Sequence, residues 1–255
     1  MQAGSMSDSD SNKRDEAAAP LQQPVRPGPR PGQPVFNLPP SILVALALLI
    51  VIFVIQSVVP ADLAEWIYIT FGFSPLRYWP QFAPDGLAFL WTPVTYSLLH
   101  GSIAHIGFNG LWFAIFGTPV VRRIGPTRFV IFWILSSIAA AALHLLLNWG
   151  EPSVMVGASG VISGLMGAAC RFAFATPVRI APGILVLPRL TILEALRNRR
   201  VVSFTLMWLL GNLIAALGLF DLAEGAIAWD AHIGGFLFGF LLFDLFDPQR
   251  RLPAG

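Results

Sequence analysis

The chain has 255 residues, of which 55% are hydrophobic and only 12% charged, with a formal net charge of +2. Soluble globular domains carry about 25% charged residues, so this composition excludes one and points to a polytopic membrane protein. The one cysteine, Cys170, excludes an internal disulfide framework and a multi-cysteine metal site.

Residues 1–40 read as a disordered cytoplasmic tail. "MSDSDSNKRDE" is polar and mixed in charge, and "PLQQPVRPGPRPGQPVFNLPP" holds too many prolines for a helix or strand to run through it. The tail could serve a partner or regulation; the plainer reading is a solvated leader. "SILVALALLIVIFVIQSVV", 41–59, is an uncharged apolar run of bilayer-spanning length. A signal peptide would have a shorter apolar stretch nearer the start and a small-residue cleavage site, which "PADLAEW" does not supply.

The first connection, about 60–92, contains Trp66, Tyr68, Tyr78, Trp79 and Trp91 among prolines, glycines and charges. Such rings suit the membrane interface, so the stretch is expected to lie partly in it. Further apolar runs follow at about 93–118, 129–149, 154–174, 201–220 and 231–247. They are too long and too uniformly apolar for the strands of a barrel. The expected fold class is an all-α polytopic membrane protein, a six-transmembrane-helix bundle over 41–247 with a short cytoplasmic tail at 248–255.

Orientation follows from arginines in the connections. With a cytoplasmic N-terminus, the inner loops hold Arg122, Arg123 and Arg128, then Arg171, Arg179, Arg189, Arg197, Arg199 and Arg200. The tail adds Arg250 and Arg251, and the outer loops hold only Arg77 beside several carboxylates. Both termini are expected in the cytoplasm, and the arginines at 189–200 also suit anionic lipid headgroups.

Polar groups at membrane depth are costly and each asks for a reason. In "HGSIAHIGFNG", His105 and Asn109 are four apart and project from one helix face, with His100 earlier. In "VGASGVISGLMG", Gly160 and Gly164 form a small-residue face that admits a second helix, extended by Gly167. Ser159 sits beside that face near a helix start, where N–H groups lack partners. In "AHIGGFLFGF", His232, Gly235 and Gly239 share one stripe. Close packing of the two glycine faces would let the Ser159 hydroxyl and the His232 imidazole approach to about 3 Å, as proton transfer requires. Ser159 is then the expected nucleophile, His232 its base, and the Ser159 N–H with His105 and Asn109 the oxyanion site. Asp230 and Asp244 are badly placed for a third member, so a dyad is expected. His144 reads as an interhelical hydrogen-bond partner or a residue near the outer interface, and Ser163 as packing.

"GASG" at 157–160, "HGSIAHIGFN" at 100–109 and "AHIGGFLFG" at 231–239 together resemble the rhomboid intramembrane serine proteases over about 90–245. The resemblance implies a six-span core, with Ser159 as nucleophile, His232 as base, and His105 and Asn109 at the oxyanion site. Gly157 and Gly160 match glycines around the nucleophile, Gly235 and Gly239 those behind the base, and His100 a structural histidine. It implies cleavage of transmembrane segments near the outer membrane face. Two positions depart from the family pattern: Thr92 stands after Trp91 where many members have arginine, and Val121 where many have glutamate. The expected partners are transmembrane protein substrates and the lipid bilayer of the plasma membrane, with no metal, cofactor or nucleic acid. The competing readings are a catalytically silent scaffold that binds membrane helices and a small transporter. The presence of both Ser159 and His232 argues against the scaffold. The absence of internal repeats argues against the transporter.

Overall fold

The computed structural model describes Met1 and residues 37–79, 86–181, 184–218 and 228–248. Residues 2–36 of the expected disordered tail lie outside the described residues, as does nearly all of the C-terminal tail. The helices belong to one compact unit that begins at Leu38.

Helix α1, Pro40–Val58, opens on a proline that needs no N–H partner at its first position. Helix α2, Ala61–Phe71, follows directly. Its last carbonyls are capped by the Arg77 guanidinium, which donates to Gly72 O at 2.6 Å and also to Ile69 O. A short 3-10 turn, Pro75–Tyr78, leads towards α3, Ala88–Thr95. Over its described residues, the expected interfacial stretch is therefore mostly helical. Trp91 Nε1 donates to Thr70 O at 2.9 Å, and the Thr95 hydroxyl to Phe71 O at 2.7 Å.

The second span does not start at 93. Pro93 sits in the short α3, a 3-10 turn follows at Tyr96–Leu98, and helix α4 runs over Ile103–Ile124. The break has a local cause: Ser102 is the N-cap of α4, and its hydroxyl accepts the His105 N–H at 3.1 Å. At the other end Gly125, with φ +80°, stops α4, and Pro126 starts α5, Pro126–Leu147.

The fourth run, expected over 154–174, is helical only as α6, Ser159–Cys170. Residues before it are extended: Phe73 and Met155 exchange backbone hydrogen bonds of 3.0 and 2.7 Å, which ties the first connection to the approach of α6. A two-stranded hairpin, β1 Val178–Ala181 and β2 Ile184–Val186, precedes α7, Ile192–Arg197. Thr191 and Glu194 form a reciprocal capping box at the start of α7. Asn198 caps α8, Arg199–Ala216, and α9 spans Trp229–Leu242 with a final 3-10 turn at Phe243–Leu245.

Every α6 residue from Gly160 to Cys170 is buried, so this short helix is the axis of the unit. It packs most extensively on α9, and also on α4 and α5. Helices α1, α4 and α5 are long and apolar enough to cross a membrane. Their outward faces carry exposed Leu43, Val51, Leu111, Ile115, Val130 and Ile138. Such a surface suits lipid rather than water.

The C-terminal ends of α4, α6 and α9 meet in one ionic network. Arg123 pairs with Asp247 at 2.8 Å, and the fully buried Arg171 with Asp244 at 2.7 Å. Arg189 joins both carboxylates at 3.3 and 3.4 Å. Charges paired in this way offset the cost of burying each of them. The opposite, N-terminal ends of the same three helices carry His105, Ser159 and His232.

Candidate active site

The site begins with a close approach of two backbones. A Cβ built on Gly235 of α9 would overlap the carbonyl oxygen of Gly160 on α6. One turn on, a Cβ at Gly239 would overlap the carbonyl oxygen of Gly164, and at Gly167 one would overlap Phe236 O. Gly160 itself faces Ala140 of α5, where a Cβ would stand 2.8 Å from Ala140 Cβ. No side chain larger than hydrogen fits on this seam, which is the use of small residues between helices in lipid.

The seam carries Ser159 at the first position of α6 and His232 in the first turn of α9. Ser159 Oγ and His232 Nε2 are 2.8 Å apart, within proton-transfer distance. Both residues are half-buried.

Gly157 precedes the helix with φ +122°, a conformation that suits glycine alone. Its N–H donates to Tyr96 O at 2.9 Å. A Cβ there would lie 2.6 Å from His105 Nε2 and 3.5 Å from Asn109 Nδ2. The two α4 side chains therefore converge on the bend that leads into Ser159. Asn109 Nδ2 is a buried donor without a hydrogen-bond partner among the described residues. An unpaired buried amide in a native site invites a functional reading. His105 Nδ1 faces the Gly101 N–H at 3.4 Å, which turns Nε2 towards the bend.

His100 is fully buried and lies edge-on to His105, ring centroids 5.0 Å apart. The Tyr68 hydroxyl donates to its carbonyl at 2.7 Å. Burial pushes the Tyr68 phenol above its usual range, against a smaller opposing effect of Gln56. Thr92, one of the two departures from the family pattern, is fully buried, while the guanidinium of this connection comes from Arg77. Val121, the other, is buried in the hydrophobic core.

Two features lie outside the sequence-based expectations. His232 Nδ1 is 2.7 Å from Asn212 Oδ1 on α8. A signal for it exists: Asn212 is a lone amide in the apolar run "LMWLLGNLIAALG". The second is a buried cluster at the start of α9, where His144 makes the interhelical hydrogen bond expected of it to an unexpected partner, Asp230. Asp230 accepts from His144 at 2.8 Å, from the Asn148 amide and from the Ala231 N–H. Asp230 thus serves α5 rather than His232. Ser163 donates to Ser159 O at 2.8 Å within α6.

A family model described as the Rhomboid domain matches residues 88–247. The chain belongs to the rhomboid family. The matched region runs from α3 through α9 and contains Ser159, His232, His105, Asn109 and Asn212. Among curated rhomboid relatives, "Rhomboid protease GlpG" of Pectobacterium atrosepticum is 27% identical over 172 residues, 67% of this chain and 54% of its own. The protein of the same name from Serratia proteamaculans is 27% identical over 214 residues, 83% of this chain and 64% of its own. That of Yersinia pestis is 27% identical over 165 residues, 64% of this chain and 50% of its own. The chain thus spans between half and two thirds of the length of these rhomboid relatives.

Proposed function

We propose that this protein is an intramembrane serine endopeptidase that cleaves transmembrane segments of membrane proteins with a Ser159–His232 dyad. The observation that carries the reading is the 2.8 Å separation of Ser159 Oγ and His232 Nε2 on the glycine seam of α6 and α9. The rhomboid protease relatives support it.

In the first step His232 Nε2 takes the Ser159 hydroxyl proton while Oγ attacks the peptide carbonyl carbon. The carbonyl electron pair moves to oxygen. That oxyanion is met by the Ser159 N–H, at a helix start where backbone donors have no intrahelical partner, and by His105 and Asn109. Asn109 Nδ2, buried and without a partner among the described residues, is a donor waiting for an acceptor. Collapse of the tetrahedral species breaks the C–N bond, and the leaving amine takes the proton from Nε2. A water then attacks the acyl–Ser159 ester with His232 again as base. The acid leaves and Ser159 regains its proton.

The proposed topology has six spans, α1, α4, α5, α6, α8 and α9, with both termini in the cytoplasm of a plasma-membrane protein. The arginine-rich network at Arg123, Arg171 and Arg189 would face inwards by the positive-inside rule. The dyad, at the other ends of the same helices, would then open near the outer face. The proposed organisation is a cytoplasmic tail over 1–40, a membrane protease domain over 41–247 and a short tail over 248–255. Gly157, Gly160, Gly235 and Gly239 support the site by allowing the close approach.

The test is cleavage of a reporter single-span protein by purified enzyme in detergent. Wild type is expected to cut it, and Ser159→Ala and His232→Ala to leave it intact while keeping the wild-type melting midpoint. Cleavage by Ser159→Ala at the wild-type rate would rule the mechanism out. A wild type that binds the reporter without cutting it would favour the silent scaffold.

A further inference from the structure

Helix α8 turns outward almost everywhere; only Val201 and Asn212 are buried. Burying a lone amide on an apolar helix calls for a partner, and Asn212 has two. Its Nδ2 donates to Trp208 O, one turn back on the same helix, at 2.9 Å. That bond sets which end of the amide faces away, since only nitrogen can donate to a carbonyl. Oδ1 is therefore the atom presented to His232 Nδ1, at 2.7 Å.

A carbonyl oxygen can only accept. The hydrogen of a neutral His232 must then sit on Nδ1, and Nε2 keeps its lone pair for the Ser159 hydroxyl at 2.8 Å. With the other tautomer, Nε2 would carry hydrogen and could not act as base. The carboxylate nearest in sequence, Asp230, is already committed to His144, Asn148 and the Ala231 N–H. A neutral acceptor also avoids placing a charge in lipid. The same stretch of α8 is held to α9 by Trp208, which stacks on Phe236 with centroids 4.5 Å apart.

We propose that Asn212 is a positioning residue: docked against α9, it holds His232 in the base-competent tautomer, so that activation of Ser159 depends on the seating of α8. The proposal rests on the dyad reading above. It does not require Asn212 to touch substrate.

The experiment uses the full chain in detergent and three readouts. These are the rate of Ser159 modification by a fluorophosphonate, kcat and KM on the reporter substrate, and the melting midpoint. Asn212→Ser keeps a hydroxyl that can bond the Trp208 carbonyl, yet it is too short to reach the imidazole. It should lower the labelling rate and kcat by about tenfold or more, with KM and midpoint unchanged. Asn212→Asp restores an acceptor at Nδ1 and should recover most of the rate. Labelling of Asn212→Ser at the wild-type rate would overturn the proposal, as would Asn212→Asp proving no faster than Asn212→Ser. A wild type that neither labels nor cleaves would instead sink the dyad reading, and this proposal with it.

Discussion

Replacing Gly235 by alanine adds one methyl group where α6 and α9 are closest. The new Cβ would overlap Gly160 O and lie 2.8 Å from Gly160 C. Ordinary van der Waals contact begins near 3.4 Å. Neither partner is a flexible side chain, so the helices must part by more than about 1 Å at this level, an overpacking cost of about 1–3 kcal/mol. Gly160 is adjacent to Ser159, and Gly235 is three residues from His232 on the same helix. The separation therefore passes to the 2.8 Å contact between Oγ and Nε2 and takes it out of hydrogen-bond range. A misplacement of about 1 Å costs about 10²-fold in rate, or about 2.7 kcal/mol of activation free energy. The assay is fluorophosphonate labelling of Ser159 beside reporter cleavage, with a detergent melt for stability. Gly107→Ala is the control, because a Cβ there meets nothing within 4 Å and should leave every readout unchanged. Wild-type labelling and midpoint in Gly235→Ala would refute the reasoning.

Asn109→Leu removes the buried amide whose Nδ2 has no partner among the described residues. It should lower kcat by about 10²–10³-fold, with little change in KM or midpoint; steady-state kinetics on the reporter would check this, and an equal fall in labelling and binding would contradict it. Asp230→Ala strips His144 and Asn148 of a shared buried acceptor and should cost about 1–3 kcal/mol. Its signature is a lower midpoint with labelling preserved at low temperature. Arg171→Ala removes the fully buried guanidinium from the Phe240 and Leu190 carbonyls and leaves Asp244 its pairing with Arg189. It should destabilise by about 3 kcal/mol or more, seen as loss of the monodisperse detergent peak on warming.

The meeting of Ser159 with His232 is legible in the sequence because polar residues and glycine pairs stand out against an apolar background. Two stripes of small residues, at 160–164 and 235–239, can each be explained by the other. The edges of the helices are less legible. Hydropathy alone joins 154–158 to the fourth span, because that stretch is as oily as the helix it precedes, and Val94, Leu98 and Leu99 extend the second span backwards over 93–102. What separates them is local: Pro93, the Ser102 cap and the positive φ at Gly157. The contact of Asn212 with His232 is hidden because one amide on an apolar helix, though it stands out, carries no spacing signal, and its partner lies 20 residues on, beyond a connection. The role of Asp230 is hidden for a similar reason: His144 is 86 positions away, and only the fold brings the two together.

Every step proposed for this site depends on an activated Ser159. Treating the full chain with a fluorophosphonate and mapping the adduct by peptide mass spectrometry tests this most directly. The predicted result is a single modified residue, Ser159, with the adduct lost in His232→Ala. An adduct on another serine, or undiminished modification of Ser159 without His232, would contradict it.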